Sequence, residues 1–301
     1  MARKAAKLAT VNRPSSGRGR RLTAALALVL LAAGIGYTAL RPSGKPTRAA
    51  IIVGAHAANF TAADTTIGPL QDQRIFYPTT LPASFIGSAG DRLPAGVTAV
   101  ISYKTASINV VSFVRSIPAD RPVIMIFHAE PEHSYGARGA TFVAQFESQS
   151  NLIRSVHRAN VRIAMAAEAY EYVDGRDGVS GSYLPPAGYV DTYLLDYYEP
   201  VPTAKGIAKN RKFQAWYRLV KNRGKPLGFA EYGLSSNGTA AGNARRVATL
   251  KADNAWISAH GPFAIWSYWW QDPATTTGKD NWQFTDPGAI AEWHAIEDAH
   301  G

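Results

Sequence analysis

Eight short apolar runs, separated by polar stretches of helical periodicity, most restrict the folds open to this chain. They are Ala50–Ala55, Arg74–Tyr77, Val97–Tyr103, Val123–His128, Val161–Ala167, Val190–Asp196, Leu227–Glu231 and Phe263–Trp269. Most are nearly continuous rather than alternating. A strand apolar on both faces needs cover on both, as strands of a parallel sheet have. The stretches 107–117, 141–160, 204–222, 239–260 and 287–300 repeat apolar residues at helical spacing, as in Phe142, Phe146, Leu152, Ile153 and Val156. Strand and helix thus recur at about 32 residues per unit over about 255 residues, the pitch of a (β/α)8 barrel. A doubly wound open sheet is the competing fold, but no Gly-rich turn follows the first run, where such a sheet would bind a nucleotide. The expected fold is an α/β (β/α)8 TIM barrel over residues 50–301. Its first two units are the least regular, because 61–73 and 82–94 are rich in Gly, Pro and Thr.

The first 49 residues read differently. Leu22–Leu40 runs nineteen residues without a charge, and at about 1.5 Å per residue it just spans a hydrocarbon core of about 30 Å. Arg18, Arg20 and Arg21 precede it, so the positive-inside bias places residues 1–21 in the cytoplasm as a basic tail and the rest outside. A cleaved signal peptide is the alternative, with a shorter apolar core and a small-residue cleavage site that Tyr37-Thr38-Ala39 matches poorly. Residues 41–49 follow as a linker. The barrel is therefore expected outside the cytoplasm, membrane-anchored through 22–40 or secreted.

Charge and cysteine content remove whole classes of function. The first 46 residues hold nine Lys/Arg and no Asp or Glu, leaving 23 basic against 22 acidic residues in the remainder. The high pI of 9.7 thus belongs to the tail, and a nucleic-acid surface, which needs that excess on the folded part, is not expected. The absence of cysteine excludes disulfides, thiol nucleophiles and cysteine-ligated metals. The barrel is expected to be a monomer that works without a cofactor.

In a barrel of this kind the C-terminal ends of the strands build the active site. Here they read His128-Ala129-Glu130-Pro131-Glu132-His133, Asp196-Tyr197-Tyr198-Glu199-Pro200, Ala230-Glu231-Tyr232-Gly233 and Trp266-Ser267-Tyr268-Trp269-Trp270-Gln271-Asp272. Carboxylates and aromatic rings collect at one rim. Two placed carboxylates suit glycosidic bond cleavage, one protonating the leaving oxygen and the other attacking the anomeric carbon. Glu130 and Glu231 are 101 residues apart, three units of about 34, which puts them on strands four and seven across the mouth. Glu132 and Glu199 are the rival carboxylates. The spacing of His128, Glu130 and His133 is not that of a His-Glu-x-x-His zinc site, so no metal is expected.

Three segments in this order, RPVIMIFHAEPE (121–132), YVDTYLLDYYEP (189–200) and KPLGFAEYG (225–233), with the Trp-rich last strand, carry a resemblance. The chain resembles the clan of retaining glycoside hydrolases with acid/base on strand four and nucleophile on strand seven, and is most similar to glycoside hydrolase family 26, the β-mannanase family. The resemblance runs from Ala50 to about Trp270. It implies a polysaccharide or oligosaccharide substrate, mannan first, with Glu130 as acid/base and Glu231 as nucleophile. It further implies Tyr197 or Tyr198 near the nucleophile, Trp266 or Trp269 beneath the central sugar, and Asp196 as a hydrogen-bonding residue. One position departs from the family. Members carry His or Asn immediately before the acid/base, where this chain has Ala129, and His128 lies one residue off, on the other side of a regular strand. A bulge would be needed to re-aim it. That departure keeps a second reading in play, a membrane-tethered carbohydrate-binding barrel without turnover.

Overall fold

The computed structural model describes residues 50–172, 182–270 and 281–300, and in it eight parallel strands close into one barrel in chain order. The strands are β1 (Ile52–Ala57), β2 (Asp72–Tyr77), β3 (Thr98–Tyr103), β4 (Val123–Phe127), β5 (Val161–Glu168), β6 (Thr192–Glu199), β7 (Leu227–Leu234) and β8 (Phe263–Trp270). The helices are α1 (Phe60–Ile67), α2 (Val110–Arg115), α3 (Pro131–Tyr135), α4 (Gly139–Arg154), α5 (Gly206–Lys209), α6 (Arg211–Val220), α7 (Ala240–His260) and α8 (Pro287–His300), with 3-10 turns at Ala169–Tyr172 and Ala187–Tyr189. The barrel expected from the repeat is the barrel observed. Among the described residues no helix is long and apolar enough to cross a membrane. The expected tail, membrane segment and linker over residues 1–49 lie outside them.

Strand alternation divides the side chains into two cores. Ile52, Val100, Ile124, Ile126, Ala164, Ala166, Leu194, Ala230 and Ile265 fill the barrel interior. The other faces meet the helices in a larger core that includes Trp216, Trp266 and Trp293, each fully buried. Each large side chain so buried contributes roughly 1.5–3 kcal/mol, which explains how a cysteine-free chain can hold together by packing alone. The interior is not purely apolar. Asp72, Arg74, Ser102, Asp196 and Ser267 are buried there as well, and Ser267 donates to Asp72 at 2.8 Å. Gly54 on β1 makes room for that carboxyl, since a Cβ there would stand 2.5 Å from the Asp72 amide and carboxylate.

Several boundaries moved from their sequence positions. β2 begins at Asp72, two residues before the apolar run does, which is how Asp72 and Arg74 come to line the interior. The helix expected over 204–222 is broken at Asn210, whose backbone is extended and whose side chain accepts from the amides of Lys212 and Phe213 at 3.0 and 3.1 Å. Such a side chain satisfies amides that a helix start leaves without partners, so a new helix begins there. Asn59 does the same for α1, accepting from the Ala62 amide at 3.1 Å, so a helix runs into the irregular stretch 61–73 as far as Ile67.

Candidate active site

Two local distortions aim the carboxylates of β4 and β7. β4 ends at Phe127, and both His128 and Glu130 then adopt left-handed backbone conformations, with φ of 51° and 52°. Such residues cost about 1–3 kcal/mol each and persist only where the surroundings over-determine them. Here the neighbouring strands do so: the His128 amide donates to Tyr103 O at 2.7 Å and the Glu130 amide to Ala166 O at 3.1 Å. Pro131 then opens α3 immediately beyond Glu130. On β7, Phe229 pairs with Leu195 whereas Glu231 pairs with Asp196, so one extra residue sits between them. Without that bulge Glu231 would face outward with Phe229; with it, Glu231 turns into the mouth.

One oxygen each from Glu130, Asp196 and Glu231 lies within 4.8 Å of the others. Arg74 reaches this cluster from β2, on the far wall of the barrel. Its Nη1 and Nη2 donate to Asp196 at 2.7 and 3.3 Å, its Nη1 stands 2.6 Å from Glu231 Oε1, and its Nε donates to Ser102 at 3.2 Å. The Tyr198 hydroxyl donates to the other Glu231 oxygen. Three carboxyl groups thus share one guanidinium in a buried site, so they cannot all be ionised at little cost.

Burial pushes Glu231 well above the ordinary carboxylate range, against the pull of Arg74. Burial also raises Asp196 to about 6, again against Arg74. Glu130 is raised by burial and then by the charge of Glu168, with Arg74 opposing. Both Glu130, the expected acid/base, and Glu231, the expected nucleophile, are therefore held above the ordinary carboxylate range. What favours charge on Glu231 is its pair of donors, Arg74 and Tyr198. Among the described residues, no side chain donates a comparable bond to Glu130.

Strand alternation sorts the remaining expected residues. Tyr198 is at the mouth, but Tyr197 is not: it is buried against Tyr232 at 5.8 Å, with its hydroxyl donating to Glu199 at 3.2 Å. Trp269 is at the mouth, half-buried and stacked on His56 at 4.4 Å. Trp266 is fully buried in the outer core, 5.2 Å from Tyr232 and 5.6 Å from Trp293, and offers no sugar platform. His128 does not swing toward Glu130. Its Nδ1 bonds Lys104 O and its ring packs edge-on against Tyr135 at 4.9 Å. The rivals stand outside the cluster: Glu132 is buried on α3, and Glu199 is taken up by Tyr197 and by Asn210, the latter at 2.6 Å. Gln271 and Asp272 lie outside the described residues.

Sequence reasoning missed four contributors. Arg74 had passed as the flank of an apolar run. Phe76, two residues on, lies over the Arg74 guanidinium at 4.5 Å and meets His56 edge-on at 5.0 Å. Trp282 contacts the Tyr198 ring at 5.4 Å, and Tyr198 meets Trp269 at 5.8 Å. Phe76, His56, Trp269, Tyr198 and Trp282 therefore make a continuous aromatic arc along the mouth. Gly233 makes the arc possible, because a Cβ there would stand 2.7 Å from the Tyr198 ring and 3.0 Å from Trp282. The period-two pattern of β2 could have pointed to Arg74, which shares the face of Asp72 and Phe76.

The same carboxylates raise the question of a metal. A cation among Glu130, Asp196 and Glu231 would have to displace the Arg74 guanidinium, which already supplies positive charge at 2.6 and 2.7 Å. A second set, His133, Glu168 and Glu171, has the spacing of ligands. There His133 is half exposed and bonds Glu168 at 2.5 Å.

Compared with known protein families and with curated proteins, the chain matches none. Among solved structures it is similar to a glycoside hydrolase family 128 (subgroup I) endo-β-1,3-glucanase from Amycolatopsis mediterranei in complex with laminaritriose. That match has 17% identity and a TM-score of 0.51, over 81% of this chain and 98% of that one. It is also similar to a modular endo-β-1,4-mannanase of glycoside hydrolase family 26 from Cellulomonas fimi, with 13% identity, a TM-score of 0.50, and 82% and 70% of the two chains covered. A family 26 protein from a Muricauda species matches at 11% identity with a TM-score of 0.55, over 83% of this chain and 86% of that one. At these identities the likeness is one of fold: a (β/α)8 barrel built as those glycoside hydrolase barrels are built.

Proposed function

We propose that this barrel is a retaining glycoside hydrolase that cleaves a β-linked polysaccharide, with Glu231 as nucleophile and Glu130 as acid/base. The observation that carries the reading is the closeness of the two groups, whose oxygens lie within 4.8 Å of each other in the mouth of the barrel. A retaining pair of carboxyl groups stands about 5–5.5 Å apart, an inverting pair about 6.5–9.5 Å, the latter leaving room for a water. In the first step Glu231 attacks the anomeric carbon, the bond to the leaving oxygen breaks, and Glu130 gives that oxygen its proton. A glycosyl ester of Glu231 results. In the second step Glu130, now a carboxylate, takes a proton from water as the water attacks the same carbon, and Glu231 leaves as a carboxylate. Arg74 and Tyr198 hold Glu231 in line throughout, and Trp269 gives the sugar ring an apolar face. The resemblance to family 26 puts mannan first, and the similar Amycolatopsis enzyme acts on β-1,3-glucan, so both belong in the first panel. The barrel works outside the cytoplasm, tethered through residues 22–40 or released.

A second reading, a barrel that binds glycan without turning it over, is favoured by one observation. Burial raises Glu231 well above the ordinary range, which works against the ionised form that a nucleophile needs. The two readings separate in one assay. β-Mannan and β-1,3-glucan are incubated with the protein, new reducing ends are counted, and the anomer released first is followed by proton NMR. Retention of the β-anomer, abolished in Glu231→Gln while glycan binding persists, is the expected result. Binding by the parent protein without any cleavage gives the site to the second reading. Wild-type turnover in Glu231→Gln overturns the assignment of the nucleophile.

A further inference from the structure

We propose that the cationic flank formed by α5 and α6 binds anionic groups on the leaving-side portion of the glycan, making the preferred substrate an acidic β-glycan. The inference rests on the hydrolase reading and names its substrate class. Residues 204–226 hold eight Lys/Arg and no Asp or Glu, while the remainder of 47–301 holds 15 basic against 22 acidic residues. A domain that is acidic elsewhere thus gathers its positive charge on one flank. Lys205, Lys209, Arg211, Arg218 and Lys221 are exposed there.

Two cavities connect that charge to the carboxylates. One, of about 210 Å³, is lined by Glu168, Tyr170, Asp196, Tyr198 and Lys212, so two residues of the site, Asp196 and Tyr198, form part of its wall. Its volume suits one sugar ring. The acids in its wall are engaged, Asp196 with Arg74 and Glu168 with His133. Lys212 is engaged by no carboxylate among the described residues; its ammonium is held over the Tyr170 ring at 4.4 Å. The second cavity, of about 300 Å³, is lined by Tyr172, Lys209, Arg211, Gln214 and Arg218, with no carboxylate. The two share their walls: the turn Ala169–Tyr172 gives Tyr170 to one and Tyr172 to the other, and α6 gives Lys212 to one and Arg211, Gln214 and Arg218 to the other.

Direction follows from the chemistry. Glu130 protonates the leaving oxygen, so the leaving sugars lie on its side of the mouth, over β5 and β6, away from the Trp269–His56 stack. A chain leaving by that side passes Lys212 and then the cations of the second cavity. Continuity with the cavity that Asp196 and Tyr198 line beside the two glutamates is what favours a glycan over a lipid surface or a nucleic acid as the occupant.

The test uses the whole chain with β-1,3-glucan and β-mannan, each neutral and carboxymethylated to a known degree. The expected result is a lower KM for the carboxymethylated glycans, rising with salt as screening shortens the reach of the charges. K209E/R218E should raise KM for the carboxymethylated form about tenfold more than KM for its neutral parent, since exposed pairs contribute only modestly each. Equal KM changes on both forms, or no preference in the parent protein, overturn the inference. Loss of binding to phosphatidylglycerol vesicles or to duplex DNA in K209E/R218E, with the KM ratio unmoved, overturns it in favour of those partners. If the parent protein cleaves none of the glycans, the hydrolase reading fails separately, and affinity electrophoresis decides this one. Retardation in carboxymethylated glycan that K209E/R218E loses supports it, and none in the parent protein sinks it.

Discussion

Replacing Arg74 by Met tests how the mouth of the barrel holds its charge. The substitution keeps much of the side chain's length and removes the guanidinium that bonds Asp196 at 2.7 and 3.3 Å and approaches Glu231 to 2.6 Å. Breaking a buried pair costs about 3–5 kcal/mol when the stranded group stays charged, within the roughly 5–15 kcal/mol a domain has. The loss must depend on pH. Asp196 already sits at about 6 with Arg74 beside it, and without the guanidinium both it and Glu231 move further up, by about 1.4 kcal/mol for each unit. A carboxyl whose folded pKa lies above its unfolded value of about 4 destabilises the fold increasingly as pH rises from the lower value to the higher, and has no such effect below both. Arg74→Met should therefore cost little at about pH 4 and most of that 3–5 kcal/mol at about pH 8. Urea unfolding at the two pH values measures this. A loss of equal size at both would refute the electrostatic account and leave packing as the role of Arg74. The triple variant R74M/D196N/E231Q, which strands no charge, should recover most of the stability at the higher pH.

Other expectations are simpler. Turnover needs Glu231 ionised, and its carboxyl is held above the ordinary range, so kcat/KM should fall with decreasing pH through a value above about 4.3; an acidic limb at or below that contradicts the assignment. Gly233→Ala pushes a methyl against the Tyr198 ring and Trp282, at 2.7 and 3.0 Å, and should lower kcat at least tenfold or so with little change in Tm, because it displaces a donor to Glu231. Trp266→Ala should cost about 3–5 kcal/mol of stability and leave KM alone, whereas Trp269→Ala should raise KM at a small stability cost; the reverse pattern would exchange the roles of the two rings.

Much of this molecule is readable along the chain because its determinants are local. Nearly continuous apolar runs and helical spacings, repeated at one pitch, identify eight strands and the helices that cover them, and the residues at the strand ends identify Glu130, Asp196 and Glu231. Alternation alone also says that Tyr197 and Tyr198, or Trp266 and Trp269, face opposite ways. It does not say which member faces the site, because one residue of register exchanges them, and only closure of the barrel fixed Tyr198 and Trp269 at the mouth. Regular alternation is misleading at Glu231, where the bulge after Phe229 reverses the face, whereas His128, expected to lie off the acid/base contact, does turn its ring to Tyr135. Arg74 shows the limit most plainly. It lies 122 residues from Asp196, and although the period-two pattern of β2 gives its face, nothing near it in the chain says which group its guanidinium would pair with. Its partners come from the opposite wall, and burial makes that pairing obligatory: a charge taken from water needs its counter-charge within bonding distance, and only the closed barrel brings β2 across to β6 and β7.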